Sequence, residues 1–158
     1  MFNPKKILVP TDFSEGEDRR SVYALRQAIE IASQFNAELI ILHVISENVS
    51  HMPLFFLDDE KLAGLQDKLK EHSEHELQKL KEKYVSDDIK VSYKIRQGSA
   101  YHEILEEEKE SKVDLIVISS RGHSHLTEFF YGSTTEKVVR RATCSVLVVR
   151  NINERDGN

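Results

Sequence analysis

Short apolar runs alternate with longer amphipathic stretches along the chain, and this order constrains the fold more than any other feature. The runs KILVP at 6–10 and LIILHVI at 39–45 are too short for typical helices. Their continuous apolar character is typical of strands that are buried on both faces of a parallel sheet. Between them, apolar residues at helical spacing predict a helix over about 18–36. The alternation of the two periods predicts an α/β fold.

The rest of the chain continues the same alternation. Leucines at helical spacing predict a long, highly charged helix that ends near Tyr84, and alternating apolar and polar residues at 89–96 indicate a half-exposed edge strand. The later elements are predicted as a helix at 100–112, a strand at 115–119, a helix at 134–142 and a strand at 146–149. Because parallel neighbours need right-handed crossovers, we predict one doubly wound domain over 1–150, with helices on both faces of a five-stranded parallel sheet in the order 3-2-1-4-5. A polar tail follows at 151–158.

Composition and charge exclude several classes of function. The 158 residues include 22 Lys and Arg against 27 Asp and Glu, a net charge of −5, and contain no dense basic block. A protein that binds the nucleic-acid backbone is therefore not expected. No apolar run approaches the roughly 20 residues that span a bilayer, and the first residues lack a signal-peptide pattern, so we expect a cytoplasmic protein without membrane association. The single cysteine, Cys144, cannot form an intrachain disulfide, which agrees with a reducing compartment.

Ligands of open parallel sheets bind beyond the carboxyl ends of the strands, where the strand order reverses. Three loops of the predicted fold reach that edge, at 10–15, around 43–47 and at 119–135. The third loop is the most informative, because it is rich in glycine and hydroxyl residues and ends directly at the start of the last helix. Its candidate residues are Arg121, Gly122, Gly132, Ser133, Thr134 and Thr135.

These residue types suit the binding of phosphate. Glycine lets backbone N–H groups approach an oxyanion closely, hydroxyl groups add donors, and a helix N-terminus contributes about half a positive charge. Arg121 is a candidate for neutralising phosphate charge, with a solvated surface arginine as the alternative. Ser133 and Glu136 also match a capping box, which would start the last helix without any ligand. The Walker A pattern is absent, and no G-x-G-x-x-G follows the first strand.

Three segments together resemble the universal stress protein family. They are VPTDFSE at 9–15, LHVI at 42–45 and GSTTEKVVRRATCSVLVV at 132–149. The resemblance covers nearly the whole chain and implies the α/β fold predicted above, with homodimers formed through the last strand, Val146 to Val149. The family divides into members that bind ATP and members that do not. The ATP-binding pattern resembles G-x2-G-x9-G-[ST], and in this chain Ser119 stands where its first glycine is usual.

The resemblance also implies roles for individual residues. Asp12 would contact the ribose or adenine, while Pro10, Thr11 and Val44 would form the adenine pocket, Val44 mainly through its backbone. The triphosphate would contact the phosphate-binding residues, which are Gly122, Gly132, Ser133, Thr134 and Thr135, and would usually bring Mg²⁺ with it. Ser119 is a further expected nucleotide-binding position. Asp12 also suits a ligand on its own chemistry, because a carboxylate just past a buried strand accepts hydrogen bonds from hydroxyl or amino groups. A turn or cap ahead of the first helix is its alternative role.

The leading hypothesis is a cytoplasmic stress-response or regulatory protein that binds ATP. It would be at most a weak ATPase, because no residue of the matched motifs is an evident general base, and no catalytic residue is assigned. No metal-ligating side chain is assigned either, since His123-x-His125 lacks a nearby third ligand. The alternative is a nucleotide-free dimeric interaction module of the same fold, which Ser119 and the highly charged helix favour. An apolar last strand at the sheet edge would need a partner chain to cover its backbone, which favours a homodimer.

Overall fold

A computed structural model of the chain describes residues 1–13, 20–46, 58–120 and 132–150. The strands are β1 (Lys6–Thr11), β2 (Glu38–Ser46), β3 (Val91–Gly98), β4 (Leu115–Ser119) and β5 (Ser145–Val149). The helices are α1 (Arg20–Phe35), α2 (Asp59–Tyr84), α3 (Ala100–Ser111) and α4 (Ser133–Arg141). Within the described ranges, each strand and helix overlaps an element that the hydrophobic periods predict. The predicted tail at 151–158 lies outside the described residues.

The strands form one parallel sheet in the order β3-β2-β1-β4-β5, which confirms the predicted topology. Thr11 pairs with His43, Ser46 with Gly98, and Ser119 with Val149, so the carboxyl ends of the five strands meet at one edge. The chain crosses from β3 through α3 to β4, and this crossover creates the reversal of strand order between β1 and β4. This reversal is the place where a ligand is expected in such folds.

Side chains alternate between two hydrophobic clusters, one on each face of the sheet. In β1, Ile7 and Val9 belong to the cluster that includes α1 and α2, while Leu8 belongs to the cluster that includes α3 and α4. All three side chains are fully buried, and burying each contributes about 1.5–3 kcal/mol of hydrophobic free energy. Helices therefore cover both faces, and this layering explains the unbroken apolar runs that predicted the central strands.

The long helix α2 packs beside α1 on one face of the sheet and is mostly exposed to solvent. It is capped by Asp58, whose side chain accepts a hydrogen bond of 2.8 Å from the backbone N–H of Lys61. Only Ser73 and Leu77 are buried along its 26 residues. None of the helices in the described ranges is both long and apolar enough to cross a membrane.

Candidate functional site

A cleft of about 600 Å³ lies over the carboxyl edge of the sheet. It extends from the start of α4 across β4, β1 and β2 to the start of α3. Eight of the eleven predicted binding residues line it, namely Pro10, Thr11, Asp12, Val44, Ser119, Ser133, Thr134 and Thr135. Gly132 precedes Ser133 but is not part of the lining, and Arg121 and Gly122 lie outside the described residues. The fold thus brings together segments that are more than 100 residues apart in the sequence.

At the end of β1, hydrogen bonds and stacking fix the turn that carries Asp12. The Thr11 hydroxyl accepts a hydrogen bond of 3.2 Å from the Phe13 backbone N–H, and the His43 ring lies 2.9 Å from the Thr11 carbonyl through Nδ1. Phe13 stacks on His43 with the ring centroids 4.0 Å apart, and its φ of 58° lies in the left-handed region. Asp12 is exposed between these two anchored neighbours, so its backbone position at the cleft is well defined.

His43 has a structural role in this turn. A carbonyl oxygen only accepts hydrogen bonds, so Nδ1 carries the proton that is donated to Thr11. Burial lowers the pKa of His43 below its usual 6.5, although the bond to Thr11 and the charge of Asp12 oppose this shift.

The start of α4 is tied to the end of β4. Thr135 is buried, and its Oγ1 donates a hydrogen bond of 2.9 Å to the Ser119 carbonyl. The described non-glycine residues with positive φ are Phe13, Asn36 and Lys112, so the backbone at Ser119 does not need the conformational freedom of glycine. A serine therefore fits the backbone at the first position of the motif.

The capping box predicted at Ser133 and Glu136 is wrong. The N-cap of α4 is Gly132, one residue earlier, and no side chain makes a cap hydrogen bond there. Glu136 accepts a hydrogen bond of 3.0 Å from Nε of Arg140, because it lies one turn before that residue on the helix surface. The first amides of α4 have no acceptor within the helix, and the residues that carry them, Ser133, Thr134 and Thr135, line the cleft.

The turn between β3 and α3 closes the other end of the cleft, and the sequence analysis missed it. Gly98 and Ser99 line the cleft there. Gly98 has a φ of 148°, and a Cβ at this position would lie 2.8 Å from Oε1 of Glu103, so the turn requires glycine. A glycine two residues after the strand predicted at 89–96 was the available signal. The other lining residues that were missed are Ser21, Leu42, Ser46, Ala100, Ile104, Ile118 and Lys137.

Two of the described lining residues carry a formal charge, Asp12 and Lys137. They lie on different elements, with Asp12 just after β1 and Lys137 in α4. Within the described ranges no group of three or more His, Cys, Asp or Glu side chains is arranged to hold a metal ion.

Cys144 and the two histidines on the surface of α2 do not form a reactive site. Burial and the nearby Glu108 raise the pKa of the Cys144 thiol to about 12, so almost no thiolate forms near neutral pH. His72 and His75 are exposed on the charged surface of α2. His123 and His125 lie outside the described residues.

Comparison with known proteins agrees with this architecture. A model of the universal stress protein family matches residues 3–150. Universal stress protein YxiE of Bacillus subtilis is 36% identical over 154 residues, which cover 95% of this chain and 100% of that protein. Universal stress protein MJ0577 of Methanocaldococcus jannaschii is 31% identical over 160 residues, which cover 94% of this chain and 96% of that protein.

Solved structures give the same result at the level of the backbone. The structure of hypothetical protein MJ0577 has a TM-score of 0.78 at 32% identity and covers 95% of this chain and 98% of that one. Universal stress protein UspA from Lactobacillus plantarum has a TM-score of 0.73 at 28% identity, with 92% of this chain and 97% of that one covered. Sequence, topology and these likenesses agree, and the chain belongs to the universal stress protein family of stress-response proteins.

Proposed function

We propose that this protein binds ATP in the cleft at the carboxyl edge of the sheet. The observation that carries the proposal is the convergence of three separate segments on one cleft. The segments are 10–12, Val44 and 133–135, which the sequence motifs single out. The volume of about 600 Å³ falls within the range of roughly 300–1,000 Å³ that is typical of small-molecule sites.

The apolar part of the cleft suits the adenine ring. Leu42 and Ile118 are buried residues of β2 and β4, the two strands on either side of β1, and they line the cleft together with Pro10 and Val44. A flat aromatic base would bury its faces against these side chains and take hydrogen bonds from backbone groups at the strand ends. Asp12, held at the end of β1, would accept hydrogen bonds from ribose hydroxyl groups or from the adenine amino group.

The start of α4 suits the phosphates. The first amides of α4, which have no acceptor within the helix, would donate hydrogen bonds to phosphate oxygens together with the hydroxyl groups of Ser133 and Thr134. The bond between Thr135 and the Ser119 carbonyl holds these donors in place over the sheet edge. Mg²⁺ would be bound through the phosphates and would neutralise part of their charge.

Calorimetric titration with Mg-ATP tests the proposal. The wild-type protein should bind, and the double variant Gly132→Val/Ser133→Ala should weaken binding at least ~10-fold, because one charge-assisted hydrogen bond contributes about 1.5–3 kcal/mol. Gly64→Val is the matched control, since a side chain added at Gly64 in α2 meets no atom within 4 Å. Equal affinity of the double variant and the control would overturn the phosphate assignment. A wild-type protein that ignores ATP would favour the nucleotide-free interaction module.

The proposal includes a homodimer that forms through β5. This strand is at the edge of the sheet and pairs only with β4 among the described strands, so one side of its backbone has no partner within the described sheet. Leu147, in the middle of β5, is 37% exposed. Pairing with the same strand of a second copy around a two-fold axis would satisfy the backbone and cover this side chain.

A further inference from the structure

Lys137 gives the cleft a positive charge close to the proposed phosphate site. It is the one basic side chain among the described lining residues. It follows Ser133 by four residues in α4, a distance of about 6 Å along the helix axis. Side chains of an α-helix tilt towards its N-terminus, so the Lys137 side chain can reach towards the first turn of α4.

The Lys137 ammonium makes a weak contact with an aromatic ring of α3. Its Nζ lies 4.6 Å from the centroid of the Tyr101 ring, and Tyr101 belongs to the first turn of α3. The guanidinium of Arg141 lies 5.4 Å from the same centroid. The attraction between a cation and an aromatic face at an exposed site is weak, so an anionic ligand can draw the ammonium away from the ring.

We infer that Lys137 pairs with the outer phosphates of the bound nucleotide and makes the cleft prefer ATP over AMP. This inference rests on the proposed function. The amides of α4 are fixed donors that serve any phosphate at the helix start. Lys137 adds a mobile full charge, which gains most from the ligand with the most negative charge. It is therefore a specificity-determining residue, and its contribution grows with the number of phosphates.

The test compares the affinities for Mg-ATP and for AMP in matched variants. Lys137→Gln should weaken ATP binding roughly 10-fold and AMP binding less than about 2-fold, because a charge-assisted contact is lost only with the outer phosphates. Lys137→Arg keeps the charge and should preserve most of the preference. Lys137→Gln should also make the ATP affinity less sensitive to salt, which a purely structural role for the lysine would not do.

Arg141→Gln is the control, because Arg141 contacts the same tyrosine ring but does not line the cleft. It should leave the ratio of the two affinities unchanged. An unchanged ratio in Lys137→Gln, with ATP still bound, would overturn the inference and leave the proposed function intact. Loss of the entire preference for ATP over AMP in Arg121→Gln would also overturn the inference and leave the proposed function intact. Failure of the wild-type protein to bind ATP would overturn both.

Discussion

The two edge strands of the sheet, β3 and β5, are both held by buried carboxylates of helix α3, β5 through the turn that precedes it. They differ in the side chains that another chain would meet. The β3 edge carries Lys94 and Arg96, whereas residues 146–149 of β5 are all aliphatic. Helix α3 contributes two consecutive buried carboxylates, Glu107 towards β3 and Glu108 towards the turn that leads into β5. Each is only 2% exposed.

At the β3 edge, Arg96 is the centre of an ionic network. Its guanidinium lies 2.8 Å from Glu103, 3.0 Å from Glu107 and 2.9 Å from Glu110. Charged side chains on an edge strand oppose pairing with another sheet, because pairing would strip them of water. The network also fixes the turn that carries Gly98 at the end of the cleft.

At the β5 edge, one carboxylate oxygen of Glu108 binds the turn that precedes the strand. Oε1 of Glu108 accepts hydrogen bonds of 2.7 Å from both the backbone N–H and the hydroxyl of Thr143, and one of 2.8 Å from the Cys144 N–H. Oε2 of the same group is buried and has no hydrogen-bond partner among the residues that the structure describes. These bonds shape the turn before β5 but add no charge to its outer side. The comparison indicates that charged side chains oppose strand pairing at the β3 edge. The β5 edge is ordered by Glu108 but remains apolar.

Arg96→Gln should have the largest effect on stability. Without the guanidinium, the buried carboxylate of Glu107 loses its ionic partner, and we expect a loss of about 3 kcal/mol in the free energy of unfolding, since breaking a buried pair costs about 3–5 kcal/mol. We expect the lower limit of this range because one of the three carboxylates, Glu110, is exposed and its ion pair contributes little to stability. Urea unfolding measures the change, and Lys79→Gln, which breaks an exposed pair with Glu76, is the control with an expected loss below ~1 kcal/mol.

The pH dependence of this variant follows from Glu103. Burial opposes ionisation of Glu103, but hydrogen bonds from Arg96 and His102 outweigh it and lower the pKa below its usual 4.5. A lowered carboxyl pKa contributes stability above the unfolded pKa, and this stability is lost as the pH falls through the folded value. The loss of stability between about pH 5 and pH 3 should therefore be less steep in Arg96→Gln than in the wild-type protein. Parallel unfolding profiles would contradict the network.

Glu108→Ala should have a smaller but clear effect at the other edge. Three donors lose their acceptor, which costs about 2 kcal/mol after the gain from removing the unpartnered Oε2 is subtracted. Glu108→Gln keeps a carbonyl oxygen as acceptor and should lose less. Urea unfolding measures the change in stability. Alkylation of Cys144 should be faster in both variants, because both remove the Glu108 charge that raises the pKa of the thiol. A stability equal to that of Glu106→Ala, an exposed neighbour, would contradict the role of Glu108.

The hydrophobic periods carry most of the information on the fold. A strand buried on both faces has few alternatives to an unbroken apolar run, and β4 at Leu115–Ser119 has the predicted bounds. The capping box failed because the sequence pattern does not determine which residue leaves the helical conformation first. Gly132 takes that position, and Glu136 pairs with Arg140 instead.

The cleft was predicted only in part, for a geometric reason. The sequence search considered loops next to the reversal of strand order, whereas the cleft continues across β2 to the start of α3. Gly98 and Ser99 come close to the predicted loops only because β2 and β3 are in register at Ser46 and Gly98. Register between strands is a tertiary property that no local pattern encodes. Lys137 was missed because a lysine on a helix surface carries no local signal. The nucleotide roles of the eleven residues remain predictions.

Leu147→Lys should give the smallest change in free energy, and it tests the apolar character of the β5 edge directly. Leu147 is the middle residue of β5, so antiparallel pairing centred on this strand brings the two copies of residue 147 together at the two-fold axis. Two lysines there would repel each other, and we expect the dissociation constant of the dimer to rise at least ~10-fold, or about 1.4 kcal/mol. Sedimentation velocity at micromolar concentration measures the change. Leu65→Lys, the same substitution on α2, should leave the dimer intact. A wild-type protein that sediments as a monomer, or a Leu147→Lys variant that dimerises normally, would show that the β5 edge is not the contact between copies.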